Sequence, residues 1–138
     1  MRNLAFALLL FWLSACQTLS NGNDNEYAKR LVGTWAAEYD EDDGVTISGE
    51  KTYRSDGTAH GFTVYKVRTQ SGELQTIKRV DFTSNWKISD GVVLITDVAY
   101  SDGTSSAPIH DQIISIGAKK AVFRDLTDGS EFERTRLK

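Results

Sequence analysis

Three patterns follow one another along the chain. Residues 4–13 (LAFALLLFWL) are ten apolar positions without interruption. Residues 17–26 (QTLSNGNDNE) are polar, cluster Asn, Gly and Asp, and show no apolar period, which is the composition of a flexible linker. From residue 33 onward, short runs alternate apolar with polar positions, the two-residue period of strands that bury one face. Between linker and strands, residues 27–32 set Tyr27 and Leu31 four apart on one face of a short helical turn. So short a segment holds a helix only when something packs against it.

The alternating region is divided by six turn pairs: Asp43-Gly44, Asp56-Gly57, Ser71-Gly72, Asp90-Gly91, Asp102-Gly103 and Asp128-Gly129. Asp-Gly between alternating runs is the strongest short-range hairpin signal, because both residues tolerate φ > 0. The turns predict eight strands, at 34–39, 46–54, 58–67, 75–88, 92–100, 111–116, 119–125 and 131–137. The fourth is long enough to contain a bulge. Val80, Phe82, Trp86 and Ile88 share one of its faces, and Ser84 on that face marks a bend. In the fifth, Val92, Leu94, Val98 and Tyr100 share a face while Val93 and Ile95 point the other way. Ile47 and Tyr53 share a face of the second strand. Ile109 and Ile113 alternate against Ile114 and Ile116 around the sixth.

An open meander of eight strands leaves two unpaired edges, and closure removes them. The expected fold is therefore all-β, a small eight-stranded up-and-down antiparallel barrel. Eight strands enclose just enough space for side chains or one small ligand. A membrane-spanning barrel needs a continuous apolar outer band. Glu50, Arg54, Arg79, Asp81 and Lys87 on these strands argue against one.

Composition fits one domain. The chain has 138 residues, with one proline and eleven glycines, as strands joined by tight turns require. Without the first 15 residues the balance is 15 basic against 19 acidic side chains, since Arg2 is the only charge removed. A mildly acidic chain gives no reason to expect nucleic-acid binding, which shows as a basic patch.

The apolar run at 4–13 follows a basic start, Met1-Arg2-Asn3. As a helix it would be about 15 Å long, half of a hydrocarbon core roughly 30 Å thick. It has the length of a signal-peptide core. Leu13-Ser14-Ala15-Cys16 follows, and this LSAC resembles the lipobox of bacterial lipoproteins. The resemblance implies that residues 1–15 are a cleaved signal peptide and that Cys16 carries a diacylglycerol thioether and, in most Gram-negative cells, an N-acyl chain. Cys16 is the only cysteine, and an odd cysteine in an exported chain needs an explanation that lipidation supplies. Acyl chains contribute about 0.8 kcal/mol per buried CH₂, so two or three of them anchor the protein to a membrane lastingly. Gln17 is not the aspartate that, in Gram-negative lipoproteins, favours inner-membrane retention. The implied address is then the periplasmic leaflet of the outer membrane. The expected organisation is signal peptide 1–15, lipidated start and flexible linker 16–26, and barrel domain 27–138.

A second resemblance begins at Gly33-Thr34-Trp35, which is similar to the Gly-x-Trp opening of lipocalin and lipocalin-like barrels. Tyr53-x-x-Asp56-Gly57-Thr58 and Trp86-x-Ile88-x-Asp90-Gly91 also resemble small lipocalin-like bacterial domains. In that family the tryptophan closes the barrel base under an arginine from the last strand. Here the resemblance implies that Arg134 or Arg136, both on the face of Phe132, stacks over Trp35. Such a cation–π contact contributes about 0.5–2 kcal/mol.

The chemistry-bearing residues form no catalytic constellation, and no enzyme activity is expected. His60 and His110 lie too far apart for metal-ligand spacing. His110 and Asp111, as strand neighbours, point to opposite faces. No Gly-x-Ser-x-Gly or phosphate loop occurs. The acidic run at 40–43 lacks the spacing that wraps Ca²⁺ and reads as a solvated hairpin tip. No metal or cofactor is expected. Aromatic side chains are the remaining handle, and Trp86 and Tyr100 are the candidates to line a ligand pocket. Two functions follow. In the first, the membrane-anchored barrel binds a small apolar or amphipathic ligand. In the second, a filled barrel presents its surface to another envelope protein.

Overall fold

The computed structural model describes residues 21–41 and 43–138. The signal segment 1–15 and the lipidation site Cys16 lie outside the described residues. The described residues begin with helix α1 (Asn21–Leu31), followed by β1 (Gly33–Asp40), β2 (Val45–Tyr53), β3 (Thr58–Arg68), β4 (Leu74–Ser89), β5 (Val92–Tyr100), β6 (Ser105–Ser106), β7 (Ile109–Ile116), β8 (Lys120–Asp125) and β9 (Glu131–Arg136). Eight of these strands form a closed antiparallel up-and-down barrel in the order β1-β2-β3-β4-β5-β7-β8-β9, and β9 returns to β1. The two-residue β6 is an added piece that pairs with the end of β5.

The glycines of all six predicted turns have positive φ, from 73° to 86°. Only at Asp90-Gly91 is φ positive at both residues, which makes a two-residue turn. In the turns at Gly44, Gly57, Gly72 and Gly103, the glycine N–H donates to a carbonyl three residues back, as in Gly57 to Arg54 at 3.2 Å. The glycine there is the left-handed residue that closes a three-residue loop. The preceding aspartate adds a bond of its own. Asp56 Oδ1 accepts from both the N–H and the hydroxyl of Thr58, at 3.0 and 2.6 Å.

Two strand faces differ from the sequence expectation, each through one extra residue. Asp97, at φ 53°, lies at a register shift in the β4–β5 pairing. Val93 and Ile95 therefore face inward before the irregularity, and Val98 after it, all three buried. Val92 and Leu94, expected to share a face with Val98, are only half-buried. In β7 the register shifts between Ile113 and Ser115. Ile114 is pushed outward, and Ile116 joins Ile113 in the core instead of opposing it.

The tether expectation is also corrected. Residues 21–26, read as flexible linker, are the first half of α1. Tertiary contacts supply what local propensity lacks. The Asp24 carboxylate accepts from the N–H groups of Asp90 and Gly91, both at 2.9 Å, and Leu31 is fully buried. The helix thereby caps the barrel end that carries the β4–β5 turn. Beneath it lie Trp35, Tyr53, Trp86, Val93 and Phe123, all buried. Tyr53 meets Trp86 edge-on, with centroids 5.3 Å apart.

Candidate functional site

The barrel interior has two halves. The half under α1 is solid. The other half holds a cavity of about 700 Å³, bordered by Tyr39, Ile95, Ile109 and Phe132 together with Lys51, Asp111 and Arg134. It reaches the open end at the β8–β9 turn, where Asp125, Asp128 and Ser130 border it. It also reaches solvent through the wall. β1 and β9 pair only at Trp35–Arg136 and Ala36–Thr135. Beyond that point, Ala37–Tyr39 on one side and Ser130–Arg134 on the other flank the cavity as an unzipped seam.

Strand alternation puts the charged groups inside. On β2, Lys51 shares the inward face with Ile47 and Tyr53 and is 6% exposed. On β7, Asp111 lies between inward Ile109 and Ile113 and is also 6% exposed. On β9, Arg134 stands between Phe132 and Arg136. In the closed order, one strand separates β2 from β9 and another separates β9 from β7, so the three side chains converge along one arc of the wall.

These groups are poorly compensated. No ion pair joins any two of them. The Lys51 ammonium instead lies 5.0 Å from the Tyr53 ring centroid and 5.6 Å from that of Phe82. Gly61 makes room for the Phe82 ring, since a Cβ there would come within 2.8 Å of it and 2.0 Å of the Glu50 carbonyl. Arg134 Nε is buried without a hydrogen-bond partner. Burial, reinforced by the Arg134 charge and opposed by Asp111, lowers Lys51 to a pKa of about 7. Burial raises the Asp111 carboxyl against the pull of Lys51 and Arg134. Burial also pushes the Tyr53 phenol up to about 12.

Of the residues singled out in the sequence, Arg136 is the one over Trp35, with its guanidinium carbon 4.2 Å from the ring centroid. Arg134 points into the cavity and lies 5.4 Å from the Phe132 ring. Trp86 belongs to the solid half, not the pocket. Its indole N–H donates to the carbonyls of Arg54 and Thr58, at 3.0 and 2.9 Å. Tyr100 is half-buried and packs on the core cluster without bordering the cavity. The aromatic preference mislocated the pocket because the largest rings fill the closed end, where packing needs their volume. His60 and His110 are exposed, and His110 faces away from buried Asp111. Lys51 and Asp111 were missed because a charge at an inward position breaks apolar alternation. Their even spacing from Ile47 and Tyr53, and from Ile109 and Ile113, was the available signal.

No protein-family model matches the chain, and no curated protein matches it. Among solved structures it is similar to one described as a de novo design of a fluorescence-activating beta barrel, at 19% identity over 80% of this chain and 96% of that chain, with a TM-score of 0.44.

Proposed function

We propose that this chain is a membrane-tethered, lipocalin-like binding protein whose barrel holds a small amphipathic molecule. One observation carries the reading. A barrel that served only as a filled scaffold has no use for Lys51, Asp111 and Arg134 around an open 700 Å³ cavity. Burying charges without partners costs stability, and this is where a binding site accepts such a cost. The volume falls within the roughly 300–1,000 Å³ of ordinary ligand pockets. Apolar walls from Ile95, Ile109 and Phe132 beside charged groups suit a ligand with an apolar body and a polar head, better than a wholly apolar one.

The anchor is part of the same proposal and rests on the LSAC lipobox and the lone Cys16. The helix α1 starts at Asn21, so the chain from Cys16 to its first residue spans at most about 18 Å. A lipid on Cys16 would hold the capped end of the barrel near the bilayer and leave the mouth directed away from it. In a Gram-negative cell, this is the periplasmic leaflet of the outer membrane. Mass spectrometry of the mature N-terminus tests the anchor. The expected mass is that of a chain beginning at acylated Cys16, and an unmodified start elsewhere overturns it. Delipidated protein titrated with a fluorescent fatty-acid probe tests the binding, and saturable binding is expected. A silent titration removes the reading.

The alternative, docking onto another envelope protein, has one feature in its favour. The upper part of the β3–β4 hairpin, beyond the β4–β5 pairing, exposes Leu74 and Ile77. In-cell crosslinking from Ile77 distinguishes the two, since a ligand carrier needs no protein adduct there.

A further inference from the structure

We propose that Lys51 is a covalent attachment site, whose amine captures an acyl-chain aldehyde in the cavity as a reversible imine. The inference rests on the binding reading above and names a ligand class for the same space. The placement of one amine and one free donor carries it. Lys51 is the one buried lysine among the described residues; Lys66 is half-buried and the others are exposed. It borders the 700 Å³ cavity, whose walls at Ile95, Ile109 and Phe132 accept an alkyl tail. No carboxylate among the described residues comes within ion-pair distance of its ammonium. Nor does the cavity need Lys51 to hold an anion. Asp125, half-buried and opposite Asp111 in the β7–β8 register, lines the cavity with Asp111, so two carboxylates already face Lys51 and Arg134. Arg134 Nε is buried without a hydrogen-bond partner. An aldehyde head answers both unmet groups, its carbon for the amine and its oxygen for the Nε–H.

The surroundings favour the neutral, nucleophilic amine. The Tyr53 and Phe82 rings lie 5.0 and 5.6 Å from Nζ, and the titratable groups around it are Tyr39, Tyr53, Asp111, Asp125 and Arg134. Burial and the Arg134 charge outweigh Asp111 and bring Lys51 to a pKa of about 7, so about half of the amine is free near neutrality. In an ordinary exposed lysine only about one part in a few thousand is free there. The step needs no oxidant or reductant. The Nζ lone pair attacks the aldehyde carbon, a C–N bond forms, and a proton moves from nitrogen to the carbonyl oxygen, giving a carbinolamine. The C–O bond then breaks as the departing hydroxyl takes up a proton, water leaves, and the nitrogen returns one proton. The Arg134 Nε–H suits the negative charge that grows on the carbonyl oxygen. Asp111, whose carboxyl burial raises, borders the same space and is a group able to give and take the proton.

The test treats the delipidated wild-type protein with decanal and cyanoborohydride, which reduces an imine to a stable secondary amine. Peptide mass spectrometry then locates the decyl group. Near neutral pH, Lys51 is expected to be alkylated at least about tenfold faster than exposed Lys29 or Lys87, given its larger free-amine fraction. Propanal, which has no tail for the apolar walls, should show a smaller preference for Lys51. The rate at Lys51 should level off above a pH of about 7, while that at Lys29 keeps rising well beyond it. Lys51→Arg should lose the fast label. If Lys51 is alkylated no faster than the exposed lysines, or if propanal prefers it as strongly as decanal does, the proposal is overturned. The fluorescent fatty-acid probe separates this failure from that of the cavity. Saturable probe binding without the label leaves the binding reading standing, and silence in both experiments removes both. The wild-type map needs no variant, so a Lys51→Arg chain that fails to fold does not spare the proposal.

Discussion

Arg136 and Trp35 lock the capped end of the barrel. The guanidinium carbon lies 4.2 Å from the centroid of the Trp35 ring. The same side chain donates to the carbonyls of Val32, at 3.0 Å, and Arg30, and Trp35 Nε1 donates to the Leu31 carbonyl at 2.8 Å. One contact thus fastens the last strand to the first and closes the orphan carbonyls at the end of α1. Gly33 is required for this approach. At φ 136°, a Cβ there would come within 2.5 Å of Arg136 Nη1. Arg136→Met is expected to lose roughly 2–3 kcal/mol, from the cation–π contact and the charge-assisted hydrogen bonds together. Urea unfolding with an unchanged m-value measures it. Arg136→Lys should recover only part, because a single ammonium cannot stack and reach both carbonyls.

Leu31 tests whether α1 belongs to the domain. It is fully buried and belongs to the core cluster. Leu31→Ala should cost about 2–4 kcal/mol. The loss should appear with faster amide exchange across α1 and at Gly91, whose N–H is held by Asp24. A loss below about 1 kcal/mol with unchanged exchange would mean that the helix rests on the barrel without stabilising it.

Lys51 links stability to pH. The groups facing it from the surrounding strands are Tyr39, Tyr53, Asp111, Asp125 and Arg134. Its pKa is about 7 in the fold against 10.5 in an unfolded chain. Between those values the unfolded state binds the extra proton, so this group's contribution to stability rises with pH across that window. Below pH 7 the cost of the buried charge is fully present. Lys51→Met should therefore unfold at higher denaturant than the parent at pH 6, by roughly 1–3 kcal/mol. The gap should narrow toward pH 10.5. An equal gap at both ends of the range would show that Lys51 is charged in the fold throughout.

Ser84 is the opposite case, a buried hydroxyl with no partner. It stands on the inward face of β4 at the register shift against β5. Ser84→Ala removes an unsatisfied group and should be neutral or stabilise by up to about 1 kcal/mol. A destabilisation of that size would reveal a hydrogen bond to ordered water.

Gly61 protects the cavity wall. Gly61→Ala drives a methyl toward the Glu50 carbonyl and the Phe82 ring. Overpacking of this kind costs about 1–3 kcal/mol. Because Phe82 is one of the two rings beside the Lys51 ammonium, affinity for the fluorescent fatty-acid probe should fall with stability.

The barrel was legible from sequence because it is specified locally. Asp-Gly pairs impose left-handed turns, two-residue alternation chooses one face per strand, and eight strands have one economical way to hide their edges. The place of Gly33 and Trp35 at the barrel base was implied only by their resemblance to the Gly-x-Trp opening of lipocalin-like barrels. What the linear pattern could not hold was anything settled by one residue meeting another across the barrel. Asp97 and Ile114 shift strand faces through pairing with a neighbour. Residues 21–26 are helical because Asp24 finds two amides 66 and 67 residues away. Arg136 and not Arg134 covers Trp35 because its register partner on β1 is Trp35 itself. Lys51, Asp111 and Arg134 come from three separate strands, and each looks like a flaw in its own apolar face. Only closure of the sheet brings them around one space, where burial lowers the pKa of Lys51 and raises that of Asp111.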